Sequence, residues 1–131
     1  VFCHGDCNQH NIVRCDKEYK LIHFENFTYH WAMTDLANFV RKMLEKNEWN
    51  EQLGKELIEE YDACRPMLKD EYRQLYCLLL FPEKFWKVAN SYYRSRKSWI
   101  SEKTLEKLEI AIRQIEEKKQ FVKTVFSFQA D

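Results

Sequence analysis

The chain has 131 residues, one domain's worth, with 45% hydrophobic residues, only 2 Gly and 2 Pro, and 21 basic against 21 acidic side chains. That length can bury a core of its own, and so few glycines and prolines point to long uninterrupted helices. Balanced charge gives no general reason to expect a nucleic acid or an anionic membrane as partner, and no apolar run approaches a membrane span or has a signal-peptide pattern. The five cysteines (Cys3, Cys7, Cys15, Cys64 and Cys77) are an odd number without a regular framework. They read as reduced thiols of a cytosolic protein.

In chain order, residues 1–3 (Val-Phe-Cys) suit a strand end. Residues 12–15 and 19–23 suit the two strands of a hairpin turned by Asp16-Lys17-Glu18. Residues 24–33 carry Phe24, Phe27, Tyr29 and Trp31, which predicts a packed rather than a solvated loop. The period then becomes helical. Thr34 or Asp35 can cap a helix with Leu36, Phe39, Val40, Met43 and Leu44 on one face. A break at 47–50 lets Asn50 cap a second helix, which Arg65-Pro66 ends. A third spans about 68–80, and Pro82 opens a fourth over about 83–95. Ser101 caps the last, where Leu105, Leu108, Ile112 and Ile115 repeat at 3-4-3 as a core stripe. The tail from Phe121 to Phe128 is apolar enough to need a cover. The fold class is therefore mainly α with a small β-hairpin, an α+β architecture of one hairpin and five helices.

Chemistry concentrates in His4-Gly5-Asp6-Cys7-Asn8-Gln9-His10-Asn11. A carboxylate and a carboxamide stand five positions apart, behind a histidine and a glycine. Kinase catalytic loops use such an arrangement: the Asp accepts the proton of the attacking hydroxyl, and the Asn holds Mg²⁺ on the nucleotide phosphates. The pattern H-G-D-x-x-x-x-N arises by chance in about one chain of this size in a thousand. A lone Asp in such a loop would more simply turn the backbone.

Three segments carry a family likeness: Phe2-Cys3-His4-Gly5-Asp6 through Asn11-Ile12-Val13, then Leu21 to Phe27, then Thr34 to Lys42. In these the chain resembles the C-terminal lobe of the aminoglycoside phosphotransferase/choline kinase-like family, and within it the CotS-type spore-coat branch. Tyr92-Tyr93-Arg94-Ser95 through Trp99 is also similar to that branch. The resemblance implies a kinase-like C-lobe over residues 1–131, with the catalytic loop and hairpin in 1–30 and a helical subdomain in 34–120. It implies Asp6 as catalytic base, His4 as the residue bracing the loop, Asn11 as a Mg²⁺ and nucleotide ligand, and Asp35 as the support of the loop backbone. It further implies ATP and Mg²⁺ as cofactors, with a small-molecule substrate or other spore-coat proteins as partners. The location implied is the mother-cell cytoplasm or the spore coat.

At His23 the chain departs from that family, whose active members carry an Asp there as principal Mg²⁺ ligand. Imidazole suits transition metals better than a hard, oxygen-seeking cation. Glu25 lies two residues on, on the same face if the strand continues, and is the candidate substitute. With glycine only at Gly5 and Gly54, no glycine-rich phosphate loop can be built, nor does a strand Lys with a helix Glu precede Asp6. The family places those parts in an N-terminal lobe, so a missing upstream lobe is expected. A zinc site is the competing chemistry, since all four histidines fall within 4–30 beside Cys3, Cys7 and Cys15. No C-x-x-C pair occurs, and Cys3 and Cys15 suit buried strand positions equally well. The basic and aromatic run 92–99 could stack on nucleic acid, but reads more simply as a helix end. Two functions stay open: transfer of a phosphoryl group from ATP to a small-molecule hydroxyl, or a structural role in the spore coat with a decayed metal site.

Overall fold

The computed structural model describes residues 1–95 and 99–126. Two short antiparallel ribbons come first. Strand β1 (Phe2–Cys3) pairs with β4 (Thr28–Tyr29), placing Phe2 opposite Tyr29. Strand β2 (Ile12–Cys15) pairs with β3 (Glu18–Leu21), placing Ile12 opposite Leu21. Asp16 opens the β2–β3 turn at φ 55°, a left-handed conformation that Asp tolerates better than most residues. The second strand stops at Leu21, two residues short of the expected end, because His23 takes φ 65°. The strand face that was to carry Glu25 beside His23 therefore does not exist.

Five helices follow: α1 (Met33–Lys46), α2 (Glu51–Cys64), α3 (Lys69–Leu80), α4 (Glu83–Arg94) and α5 (Glu102–Val125). Their punctuation is largely local. Asn50 Oδ1 accepts from Leu53 N at 2.9 Å, and Ser101 Oγ accepts from Thr104 N at 3.2 Å, each satisfying a first-turn donor. The residue before Pro66 leaves helical geometry, ending α2. Asp35 does not cap α1. The helix begins two residues earlier, after Ala32, and Asp35 sits in its first turn.

One core joins four helices. Met33, Leu36, Val40 and Leu44 line one side of α1, against Ile58 of α2, Leu75 and Leu79 of α3, and Phe121, Val122 and Phe126 at the end of α5. The apolar tail thus finds its cover in the helical body as far as Phe126, and its remainder lies outside the described residues. Half of the 3-4-3 stripe lies on the inner line of α5: Leu108 and Ile115 are half-buried, whereas Leu105 and Ile112 are 45% and 54% exposed. The residues that the helix buries outright are Ala111, Lys118, Phe121 and Val122. The wide amphipathic pattern left the facing open, and docking against α3 and α4 selected the Leu108–Ile115 side.

The aromatic segment also differs from expectation. Phe24, Phe27, Tyr29 and Trp31 are exposed, each by half or more. Phe24 packs on Phe27, whose ring stacks on Phe2 at 5.2 Å, while Tyr29 meets Phe2 edge-on and Trp31 meets His30. A two-stranded ribbon has no second layer to cover its outer face. Cys3 is buried and Cys15 exposed, and all five cysteines are free thiols. Of the segment 92–99, residues through Arg94 end α4, Tyr93 points to solvent, and 96–98 lie outside the described residues. Among the described residues no helix is long and apolar enough to cross a membrane.

Two features of the packing can be tested. A Cβ on Gly54 would come within 2.2 Å of the buried Phe121 ring. Gly54→Ala should destabilise by about 1–3 kcal/mol by overpacking, although alanine is intrinsically the better helix former by about 1 kcal/mol. Urea unfolding measures the sign. Lys118 is the second feature. Its ammonium donates to Phe81 O at 2.9 Å and lies 5.1 Å from the centre of the Trp49 ring. Burial first, and then Arg41, lower its pKa to about 8. Between pH 8 and the usual lysine value the unfolded chain binds the extra proton, so stability should rise with pH there, on the order of 2–3 kcal/mol. Denaturation of Lys118→Met across pH 7–11 should lack that rise.

Candidate active site

The Asp6 loop is fastened from both ends. From α1, the Asp35 carboxylate accepts His4 N at 2.6 Å and Gly5 N at 3.0 Å, one backbone donor on each oxygen. Such charge-assisted bonds are shorter and stronger than neutral ones. Gly5 takes φ 81°, and a Cβ there would stand 2.1 Å from the carbonyl oxygen of Asn26. Only glycine fits both the left-handed backbone and that approach.

His4 is buried, and both its ring nitrogens are engaged. Nδ1 accepts from Asp6 N at 3.2 Å, so Nε2 carries the proton and donates to Ile22 O at 2.8 Å. Its ring also meets Phe24 edge-on, with centroids 4.5 Å apart. One side chain thus ties the Asp6 backbone to the segment leaving β3.

Asp6 itself is half-exposed, and both oxygens of its carboxylate accept from carboxamides. Asn8 Nδ2 donates to Oδ1 at 2.9 Å, and Asn11 Nδ2 donates to Oδ2 at 3.1 Å. Each amide also reaches the Asp6 carbonyl, at 3.1 and 2.8 Å. Asn11 ends a single 3-10 turn, Gln9–Asn11, capped by Asn8 Oδ1 accepting from His10 N at 2.9 Å. The backbone of Asn11 then receives Ile22 N at 2.9 Å, which docks the turn on the hairpin. Asn8 was not singled out by sequence pattern. Its only signal was an Asn able to cap the turn that follows it.

His23 and Glu25 are placed differently. Both side chains are solvent-exposed, and they meet each other, His23 Nδ1 to Glu25 Oε1, at 3.1 Å. Glu25 is held below the usual carboxylate range by its own backbone N–H and then by His23. Among the described residues, no hydrogen bond or ion pair joins either one to Asp6 or Asn11. Nor do three His, Cys, Asp or Glu side chains gather closely enough to hold a metal ion. Cys7, beside Asp6, has its thiol pKa raised by burial and then by Asp35 and Asp6, which disfavours the nucleophilic thiolate.

The geometry makes Asp35 a sensitive position. Asp35→Asn keeps the shape but offers one carbonyl oxygen where two backbone donors need acceptors. It should cost about 1–3 kcal/mol and speed amide exchange at His4 and Gly5, measurable by hydrogen-exchange NMR.

No curated protein and no solved structure matches this chain. Residues 2–125 match the model of the family described as "Spore coat putative kinase YutH". The chain's opening strand, the braced Asp6 loop, the hairpin and almost all of the helical body fall inside that match. This chain therefore belongs to the YutH family of kinase-like spore-coat proteins.

Proposed function

We propose that the chain is the C-terminal lobe of a phosphotransferase of the aminoglycoside phosphotransferase/choline kinase-like type, working in the mother cell or spore coat. The observation that carries this reading is the seating of Asp6: a half-exposed carboxylate with each oxygen fixed by an amide, on a loop pinned by Asp35 and His4. A carboxylate so fixed is fit to orient a hydroxyl and take its proton as the new O–P bond forms and the bond to the departing ADP breaks. Asp6 is the catalytic residue in this scheme, and His4 and Asp35 hold its backbone.

Asn11 turns its NH₂ to Asp6, which leaves its amide oxygen as a hard donor suited to Mg²⁺. Glu25 supplies the nearest remaining carboxylate along the chain to His23. Bound Mg²⁺ would neutralise the charge on the phosphates. On this reading the partners are a small molecule bearing a hydroxyl and an ATP-gripping N-terminal lobe.

A second reading is favoured by one observation, the exposed His23 turned to Glu25 rather than to the Asp6 loop. It makes the protein a structural coat component in which the metal site has decayed, with other coat proteins as partners.

Turnover of Mg·ATP by the chain together with the ATP-gripping N-terminal lobe separates the two. Under the first reading Asp6→Ala and Asn11→Ala each lower turnover by about 10²–10⁴-fold, and His23→Asp raises it. Under the second the wild type turns over no ATP, and the Asp6→Ala, Asn11→Ala double variant still supports full coat assembly.

A further inference from the structure

We propose that Asn8 is a positioning residue that sets the orientation of the Asp6 carboxylate and couples it to that of Asn11. The inference rests on the phosphotransfer reading for its consequence and on the loop geometry for its substance.

Asn8 is buried, with 8% of its surface exposed. A buried carboxamide must place both its oxygen and its NH₂, and Asn8 spends them on different tasks. Its oxygen accepts His10 N and so starts the turn that presents Asn11. Its NH₂ donates to the carboxylate and the carbonyl of Asp6. Rotation of the Asp6 carboxylate would break its bond to Asn8 on one oxygen and its bond to Asn11 on the other. Unwinding of the turn would release both amides together. The acid and the amide that must face a common point are therefore held through one intervening side chain.

The two tasks can be separated by substitution. Serine is as good a cap as asparagine but too short to reach the Asp6 carboxylate. Aspartate keeps the cap oxygen and replaces the donor with an acceptor facing Asp6 Oδ1. A purely structural Asn8 predicts that Asn8→Ser and Asn8→Asp both behave as wild type.

The first measurement needs no turnover. In NMR of the full chain, the Asn8 side-chain NH₂ should exchange slowly with solvent, and Asp6→Ser should make that exchange at least about tenfold faster. Exchange as fast as that of a solvent-exposed amide, or unchanged in Asp6→Ser, overturns the proposal. The second measurement is Mg·ATP turnover by the chain together with the ATP-gripping N-terminal lobe. Asn8→Ser should keep the wild-type melting temperature within a few degrees and the wild-type KM for ATP, while kcat falls about 10- to 100-fold, the scale of a misplaced reacting group. Wild-type kcat in Asn8→Ser overturns the proposal and leaves the phosphotransfer reading standing. A wild type without turnover in the presence of that lobe removes the phosphotransfer reading, and the exchange measurement then decides alone whether Asn8 holds Asp6.

Discussion

The Asp35 carboxylate carries more of this architecture than any other single group. The first thirty residues have almost no core of their own: β3 is exposed along its whole length, and each ribbon has two strands. Isolated ribbons of that size are marginal in water. What fixes them is attachment to the helical body, and Asp35 makes it on consecutive backbone amides of the Asp6 loop. Its place in the first turn of α1 favours a negative charge there. The helix thus gains from the same carboxylate that organises the loop. Cys3 adds a second tie, its buried thiol donating to Trp31 O at 3.3 Å just before α1.

A second set of charges works differently. Arg41 of α1 is buried and pairs with Glu45 on its own helix and with Glu83 of α4. Burial lowers its pKa. Lys118 of α5 reaches the carbonyl of Phe81, just past the end of α3. Buried ion pairs of this kind return little net stability against apolar packing, yet removing one partner leaves a costly unpaired charge. Their effect is to specify. None of the residues of α4 is fully buried, so its apolar face alone fixes its position weakly. The Arg41–Glu83 pair pins its first turn to α1.

The helices were legible where local chemistry decides. Asn50, Ser101 and Pro82 marked starts that the structure keeps to within a residue, because caps and proline act through their nearest neighbours. The sequence was ambiguous where tertiary contact decides. Helix α5 carries apolar residues on more than one face, and the choice between Leu105–Ile112 and Ala111–Phe121 belongs to the surfaces it meets. The aromatic segment misled for the complementary reason: its rings signal burial, but the ribbon offers no second layer. In the loop, residue types and spacing drew attention to Asp6 and Asn11, which the structure brings into contact, while Asp35 came from family likeness and could locally have been only a cap. Asn8 was invisible because its role depends on where two side chains turn, which no periodicity encodes. The left-handed backbone at His23 was equally hidden, and it removed the shared strand face on which Glu25 was to stand in.

The close seating of Phe121 over Gly54 also bears on synthesis. The ring at the centre of the helical core comes from residue 121 and closes against Leu44, Gly54 and Trp49, all more than sixty positions earlier. Helices α1 to α3 leave the ribosome first, with the space for that ring still open. Until residue 121 emerges they can hold no more than a partly packed intermediate that leaves apolar surface of the core exposed.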